Sequence, residues 1–302
     1  MPLVLPGPLP AEPDEAISLR LWGVRGSIPT PGPTTVRYGG ETTSLEIQAG
    51  PHTLLVDCGS GVRLAGKTLA RQKLSHADVL FTHTHMDHIC GLPFFCLAYD
   101  PSTELNLWAG HIPPGGTLEE IVERMMSPPT FPVATSALNN TFFRNFKAGA
   151  PLPLGPGRPT VHSTRLNHPG NCCGYRIEWH GSVIAVITDH EHGNDRVDAA
   201  IAEFVTGAHV MIYDAMYLEE EYPRFVGWGH STPERALDLA ARAGVKIPIL
   251  FHHDPCRTDD ELDVIAERVK RAFPSAEVAR EGDTYTLLNG ERIATPLQAT
   301  AG

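Results

Sequence analysis

Within six consecutive positions, His83-Thr84-His85-Met86-Asp87-His88, the chain carries four side chains able to ligate a metal ion. They follow the apolar run Val79-Leu80-Phe81, so residues 77–82 are expected to form a strand that ends at the cluster. His83 and His85 are two positions apart, and in an extended segment both imidazoles leave the same face and reach one ion. Asp87 and His88 are adjacent, and at the start of a helix they would face a second ion. A chain with 15 histidines can place some of them in a surface loop by composition alone. A strand end followed by the break Gly91-Leu92-Pro93 is instead where sites are usually built, so the cluster is expected to be a metal site completed by ligands elsewhere.

Those ligands must be positioned by the surrounding elements. Residues 1–16 are Pro-rich and acidic and read as a flexible arm, and 17–302 read as a single domain with a small insertion at about 105–156. Alternation begins at Ile17, and short strands at 43–48 and 53–56 read as a hairpin. The Gly/Pro-rich loop at 23–32 exposes backbone N–H groups and Arg25, as an anion contact or as a plain connection between strands. A surface helix at 62–72 precedes the metal strand, giving β-α-β order. The apolar stretch 92–97 reads as the start of a core helix, with Phe94 and Phe95 in packing roles. Thr117 and Glu120 have the spacing of a capping box, opening a helix that Ser127-Pro128-Pro129 stops. From there to Pro156 the chain reads as irregular, its phenylalanines the core of a small subdomain. Further strands are expected at 160–166, 182–189, 208–213 and 246–251, helices at 197–204 and 258–272, and closing strands within 276–288.

Composition excludes several classes of function. The 302 residues, 42% of them hydrophobic, suffice for a sizeable core. A formal net charge of −11 repels a long polyanion, so no long nucleic acid is expected as a partner. No stretch is long and apolar enough to span a membrane, and the proline-broken start lacks the basic region of a signal peptide. The six cysteines fall into no repeating framework, and the neighbours Cys172 and Cys173 are poorly placed for a disulfide, so the thiols read as reduced and the location as cytoplasmic.

The His-x-His-x-Asp-His run after an apolar strand resembles the signature of the metallo-β-lactamase superfamily. Later segments resemble its ribonuclease Z-like, cyclic phosphodiesterase branch: His168 before Gly174-Tyr175-Arg176-Ile177, Asp189 after the apolar run Val183-Ile184-Ala185-Val186-Ile187, Asp214 after an apolar strand, His230-Ser231-Thr232, and Leu250-Phe251-His252. The resemblance implies an α/β fold, the four-layer αβ/βα sandwich, with two mixed, mainly antiparallel sheets and helices outside. It implies that His83, His85 and His168 hold one ion, that Asp87, His88 and His252 hold the other, and that Asp189 bridges them. His253 is the alternative to His252. Asp57, at a strand end before Cys58-Gly59, matches an aspartate that buttresses the metal loop. His162, His180 and His192 are read as ordinary turn or surface histidines, and His190 is not assigned.

The function implied is that of a metal-dependent phosphodiesterase. Two divalent ions, zinc by the imidazole-rich donor set with manganese or iron as alternatives, would activate a hydroxide for attack on phosphorus. His230, oriented by Asp214, would protonate the leaving oxygen, and these two with Asp87 are the expected catalytic residues. Ribonuclease Z-like enzymes that process transfer RNA carry a basic protruding arm, whereas 105–156 holds only Arg124, Arg144 and Lys147 as cations. The expected substrate is therefore a small anionic phosphodiester, a cyclic nucleotide or cyclic ribose phosphate, and a homodimer is compatible with this reading. Two alternatives use the same ions: a metallohydrolase of a lactone, thioester or β-lactam, and a di-iron redox or sensor protein.

Overall fold

The structure, a computed structural model, describes Gly7, Leu9 and residues 13–293. Most of the arm expected at 1–16 lies outside the described residues. The strands in chain order are β1 (Ala16–Gly23), β2 (Ser44–Ala49), β3 (His52–Val56), β4 (His76–Phe81), β5 (Glu104–Ala109), β6 (Thr141–Asn145), β7 (Thr160–Leu166), β8 (Cys172–Trp179), β9 (Ser182–Ile187), β10 (Val210–Asp214), β11 (Ile247–Phe251), β12 (Glu277–Val278), β13 (Thr284–Leu288) and β14 (Glu291–Ile293). The helices are α1 (Val62–Arg71), α2 (Met86–Ile89), α3 (Leu118–Met125), α4 (Asp195–Phe204), α5 (Pro233–Ala243) and α6 (Asp259–Ala272).

The strands form an eight-stranded sheet in the order β14-β13-β1-β2-β3-β4-β5-β6 and a six-stranded sheet in the order β12-β11-β10-β9-β8-β7. Their facing sides share one core, with Leu19, Ile47 and Leu54 from the larger sheet against Ile184, Ile212 and Ile249 from the smaller. The outer faces are covered by helices, α1 to α3 over the larger sheet and α4 to α6 over the smaller. This is the four-layer sandwich. It explains the apolar run of β9: Ile184 and Val186 face the other sheet while Val183, Ala185 and Ile187 face the helices, so neither face reaches water.

Local chemistry sets the helix ends. Thr117 and Thr258 each close a capping box, with Glu120 and Glu261 respectively. Thr232 caps α5, Pro233 occupies its first turn, and Gly244 in the left-handed conformation ends it. No helix of the described residues is long and apolar enough to cross a membrane.

Four expectations need correction. Parallel and antiparallel pairings are equal in number, six of each, so the sheets are mixed but not mainly antiparallel. The stretch 92–97 makes short 3₁₀ turns in place of a helix start; Phe95 is buried, but Phe94 is exposed, its ring set edge-to-face with Phe131. The expected subdomain core is instead the parallel edge strand β6, paired with β5 in the large sheet. An edge strand with one covered face gives a weak alternating signal, which the prolines around it obscure in sequence.

Arg25 is the fourth. It is fully buried: its Nε donates to the Gly39 carbonyl (2.8 Å), its Nη1 to the carbonyls of Arg257 (2.7 Å) and Asp254 (3.2 Å), and Asp259 lies 3.9 Å from its Nη2. It clamps the β1–β2 loop to the chain after β11. Nearby Glu281 accepts from the Glu41 backbone N–H. Burial and the Glu41 charge push its carboxyl up to about 7, with Arg25 opposing. A carboxyl raised above its unfolded value of 4.5 contributes stability that is full below that value and lost as pH rises through about 7. Urea midpoints measured from pH 4.5 to 8 should therefore fall more steeply for the wild type than for Glu281→Gln; parallel curves would contradict the assignment.

Candidate metal centre

The site sits where strands β3, β4, β9, β10 and β11 end, at one edge of the sandwich. The two sheets are stitched together there: the Cys173 N–H donates to the Thr82 carbonyl (2.9 Å), the Tyr175 hydroxyl to the Phe81 carbonyl (2.6 Å) and the His253 N–H to the Val24 carbonyl (3.0 Å). Each strand delivers one side chain or more just beyond its last residue. Asp57 follows β3, His83 and His85 follow β4, Asp189 follows β9 and His252 follows β11, while Asp214 is the last residue of β10.

All seven residues expected around the ions come together. Ligand atoms of His83, His85 and His168 lie within 4.8 Å of one another, and so do those of Asp87, His88, Asp189 and His252. Asp189 lies between the two groups. Its Oδ1 is 3.8 Å from Nε2 of both His83 and His168 and 3.3 Å from His252 Nε2, and its Oδ2 is 3.2 Å from His88 Nε2. Asp87 Oδ2 is 3.2 Å from His252 Nε2 and accepts from the Ser27 N–H at 2.8 Å. His253 points elsewhere, its Nε2 bonded to the Ala279 carbonyl (2.8 Å). Burial presses its imidazole down to about 3, the behaviour of a neutral structural histidine.

Hydrogen bonds on the far ring nitrogens decide what the near ones offer. The Gly229 carbonyl can only accept, so His168 carries its proton on Nδ1 (2.8 Å) and turns a lone pair on Nε2 toward the site. Asp57 takes two bonds from Thr82, N–H at 2.8 Å and Oγ1 at 2.7 Å, and holds His88 Nδ1 at 2.8 Å. That leaves His88 Nε2 facing His252 Nε2 at 3.3 Å, while His168 Nε2 faces His85 Nδ1 at 3.1 Å. His83 Nε2 is buried without a hydrogen-bond partner. Burial holds His83, His85 and His168 below the ordinary histidine value, so these rings are neutral donors of lone pairs.

The charges point the same way. Burial opposes ionisation of Asp189, yet His252 and His88 hold it well below the usual carboxylate range. Burial likewise opposes charging of His88, yet Asp189, Asp87 and Asp57 hold it well above the ordinary value. Converging lone pairs and buried carboxylates are costly unless positive charge lies among them, and the donor set fits divalent cations.

Beside this set, His230 Nδ1 is 2.7 Å from Asp214 Oδ2, whose Oδ1 accepts from the N–H of Ser231 (3.1 Å) and of Met216 (3.2 Å). Burial works against the imidazolium, but the Asp214 carboxylate outweighs it and pushes His230 up to about 9. The ring centroid of His230 lies 4.9 Å from that of His252 and 5.3 Å from that of His168, so this imidazole faces both groups.

Several contributors carry no sequence signal. The Ser27 N–H reaches Asp87 because the adjacent Gly26 lies against the His252 ring, where a Cβ would collide. Gly229 similarly has no room for a Cβ beside His168. Glu191 is buried and accepts from the N–H of Gly227 (2.7 Å) and Gly229 (2.8 Å) and from the Tyr222 hydroxyl (3.0 Å), which fixes the loop entering His230. Of the histidines flanking it, His190 pairs with Asp198 (3.2 Å) and His192 with the Ser231 hydroxyl (2.8 Å); neither enters the ligand groups. Cys172 and Cys173 point to opposite faces of β8, one into each apolar layer, and both are free thiols.

Residues 52–253 match the family model described as the beta-lactamase superfamily domain. Ribonuclease Z from Gemmatimonas aurantiaca is 26% identical over 325 residues, spanning 91% of this chain and 98% of that protein. Among solved structures, the metallo-beta-lactamase fold protein YhfI from Bacillus subtilis superposes with a TM-score of 0.67 at 19% identity, over 90% of this chain and 100% of that one. Zn(2+)-bound PqqB from Methylobacterium extorquens gives 0.67 at 16% identity, over 88% of this chain and 99% of that one. With the family model spanning well over half its length, and with this fold and this histidine and aspartate cluster, the chain belongs to the beta-lactamase superfamily.

Proposed function

We propose that the protein is a metal-dependent phosphodiester hydrolase acting on a small phosphodiester, with zinc as its metal. The observation that carries the reading is the pairing of a cation-demanding donor set with a protonated imidazole, His230, held beside it by Asp214. An ester or lactam hydrolase needs the first of these but has less use for the second, because an alkoxide leaving group on phosphorus requires a proton. The similarity to a ribonuclease Z along nearly the whole chain supports the same chemistry.

In this reading His83, His85 and His168 hold one ion, Asp87, His88 and His252 hold the other, and Asp189 is shared. Divalent ions held by these residues would supply a hydroxide nucleophile near neutrality and would neutralise charge on the phosphoryl group. The protein's own groups do the rest. Asp57 and the Gly229 carbonyl fix the tautomers of His88 and His168, so these rings need no reorganisation. Asp214 keeps a proton on His230 Nδ1, which leaves Nε2–H to protonate the departing oxygen. Zinc suits so imidazole-rich a set.

A small substrate agrees with the charge distribution. The net charge is −11, and the loop before His230 carries Glu219, Glu220 and Glu221, which occupy Arg235, Arg268 and Arg257. Of the cations in 105–156, Arg144 is engaged by Asn106 (3.1 Å). Six free cysteines support a cytoplasmic location.

Metal analysis of purified protein should find two divalent ions per chain, and exhaustive chelation should abolish activity that zinc restores. Asp189→Ala should lose both metal and activity; full activity in metal-free protein would sink the proposal. His230→Ala should keep its metal but lose about 10²–10⁴-fold in kcat on a 2′,3′-cyclic nucleotide. Its loss should be smaller on bis(p-nitrophenyl) phosphate, whose nitrophenolate departs without a proton, and equal losses on both would remove His230 as the acid. Cyclic nucleotides should also be cleaved faster than an RNA oligonucleotide; the reverse order would assign the chain to RNA cleavage.

A further inference from the structure

Next to the polar centre stands a tryptophan that the mechanism does not use. Trp228 is 62% exposed, two residues before His230 and one before Gly229, which abuts His168. Two other large apolar side chains sit beside groups of the same centre and are also exposed: Ile28 (58%), next to Ser27, and Met86 (63%), between His85 and Asp87. Three distant segments thus carry an exposed apolar side chain within two residues of a group of the site. Small-molecule sites have this composition, mostly apolar with a few polar groups that orient the ligand.

Trp228 differs from the other two in how firmly it is held. The N–H groups on either side of it, Gly227 and Gly229, both bond to the buried Glu191 carboxylate, and its own N–H donates to the Phe225 carbonyl (3.0 Å). Its ring meets Phe225 edge-on at 5.4 Å, Phe225 stacks on Tyr217 at 4.2 Å, and Tyr217 meets His230 at 5.9 Å. A ladder of rings therefore runs from the proton donor outward to the exposed indole. A fixed, solvent-facing ring is a ready stacking surface, since its ordering entropy is already spent in the folded protein.

We propose that Trp228 is the specificity-determining residue of the reaction proposed above, stacking on a flat aromatic ring carried on the leaving-group side of the phosphodiester. That side follows from the ladder, which begins at the group that protonates the leaving oxygen. The class of substrate is then a diester bearing a nucleobase or an aryl ring, in preference to a bare sugar cyclic phosphate.

The inference rests on the phosphodiesterase reading, and the test separates the two. Wild type, Trp228→Ala and Trp228→Phe are compared on a 2′,3′-cyclic nucleotide, on bis(p-nitrophenyl) phosphate and on a base-free ribose cyclic phosphate. Trp228→Ala should lose about tenfold or more in kcat/KM on ring-bearing diesters, mostly through KM, leave the base-free diester unchanged, and be rescued by Trp228→Phe. A loss confined to the cyclic nucleotide names a nucleobase as the ring, and a loss on both ring-bearing substrates names any aryl group. Equal losses on all three, or none, overturn the proposal. Should the wild type cleave no diester, the phosphodiesterase reading fails, and ring binding is still measured directly by fluorescence titration with a nucleoside monophosphate. Of the four tryptophans, Trp22 is buried and Trp108 and Trp179 are half-buried, so quenching should be saturable in the wild type and absent from Trp228→Phe. Identical quenching in both overturns it.

Discussion

Imidazole lone pairs and carboxylates share one buried pocket in this protein, and much of the surrounding structure serves to keep them facing one another. Left alone, such groups repel or stay unsatisfied, and each would cost several kcal/mol, of the order found for buried unpaired charge. Positive charge removes that cost. The pocket therefore suits divalent cations, toward which its imidazole lone pairs and carboxylates converge. The stitching of the two sheets at Thr82, Phe81 and Val24 is needed because the donors come from both sheets, and a shift between the sheets would part His88 from His252.

The same demand explains backbone conformations that the sequence would not suggest. Asp57, Asp189 and His252 each follow a strand, and each takes the left-handed conformation, with φ of 61°, 58° and 62°; Ser27, whose N–H reaches Asp87, has φ of 64°. For L-residues this region costs roughly 1–2 kcal/mol. Glycine would relieve the strain but would bring no ligand or hydrogen-bonding side chain to the turn. Strained backbone of this kind clusters where side chains must converge, and the network around Asp57 shows how it is maintained, with Thr82 and His88 both anchored to the turned carboxylate.

A second network governs the placement of His230. Glu191 lies two residues past Asp189 and fixes the loop that carries Gly229 and leads to His230. The Gly229 carbonyl in turn sets the tautomer of His168. His168 and His230 are thus tied through one loop. A disturbance at Glu191 is felt by both, and an exposed indole on the same loop inherits its rigidity.

Much of this was legible in the chain itself. The spacing of His83, His85, Asp87 and His88 after an apolar run announced a metal site, because ligand type and strand period are local properties. The spacing of Thr117 and Glu120 placed the start of α3 for the same reason, and the family resemblance implied the sandwich and the distant ligands His168, Asp189 and His252. Local pattern could not reveal that Arg25 is a buried clamp, since its loop reads equally well as an anion contact until the carbonyls of Gly39, Asp254 and Arg257 surround it. It could not choose between His252 and His253 either, because adjacent residues differ only in which way a left-handed turn directs them. Nor could it find β6, the Ser27 N–H or Glu191. The sequence by itself determined which atoms are available as ligands. Only the tertiary structure decided which lone pair each ring presents and how firmly each is held, because those depend on partners brought from other strands.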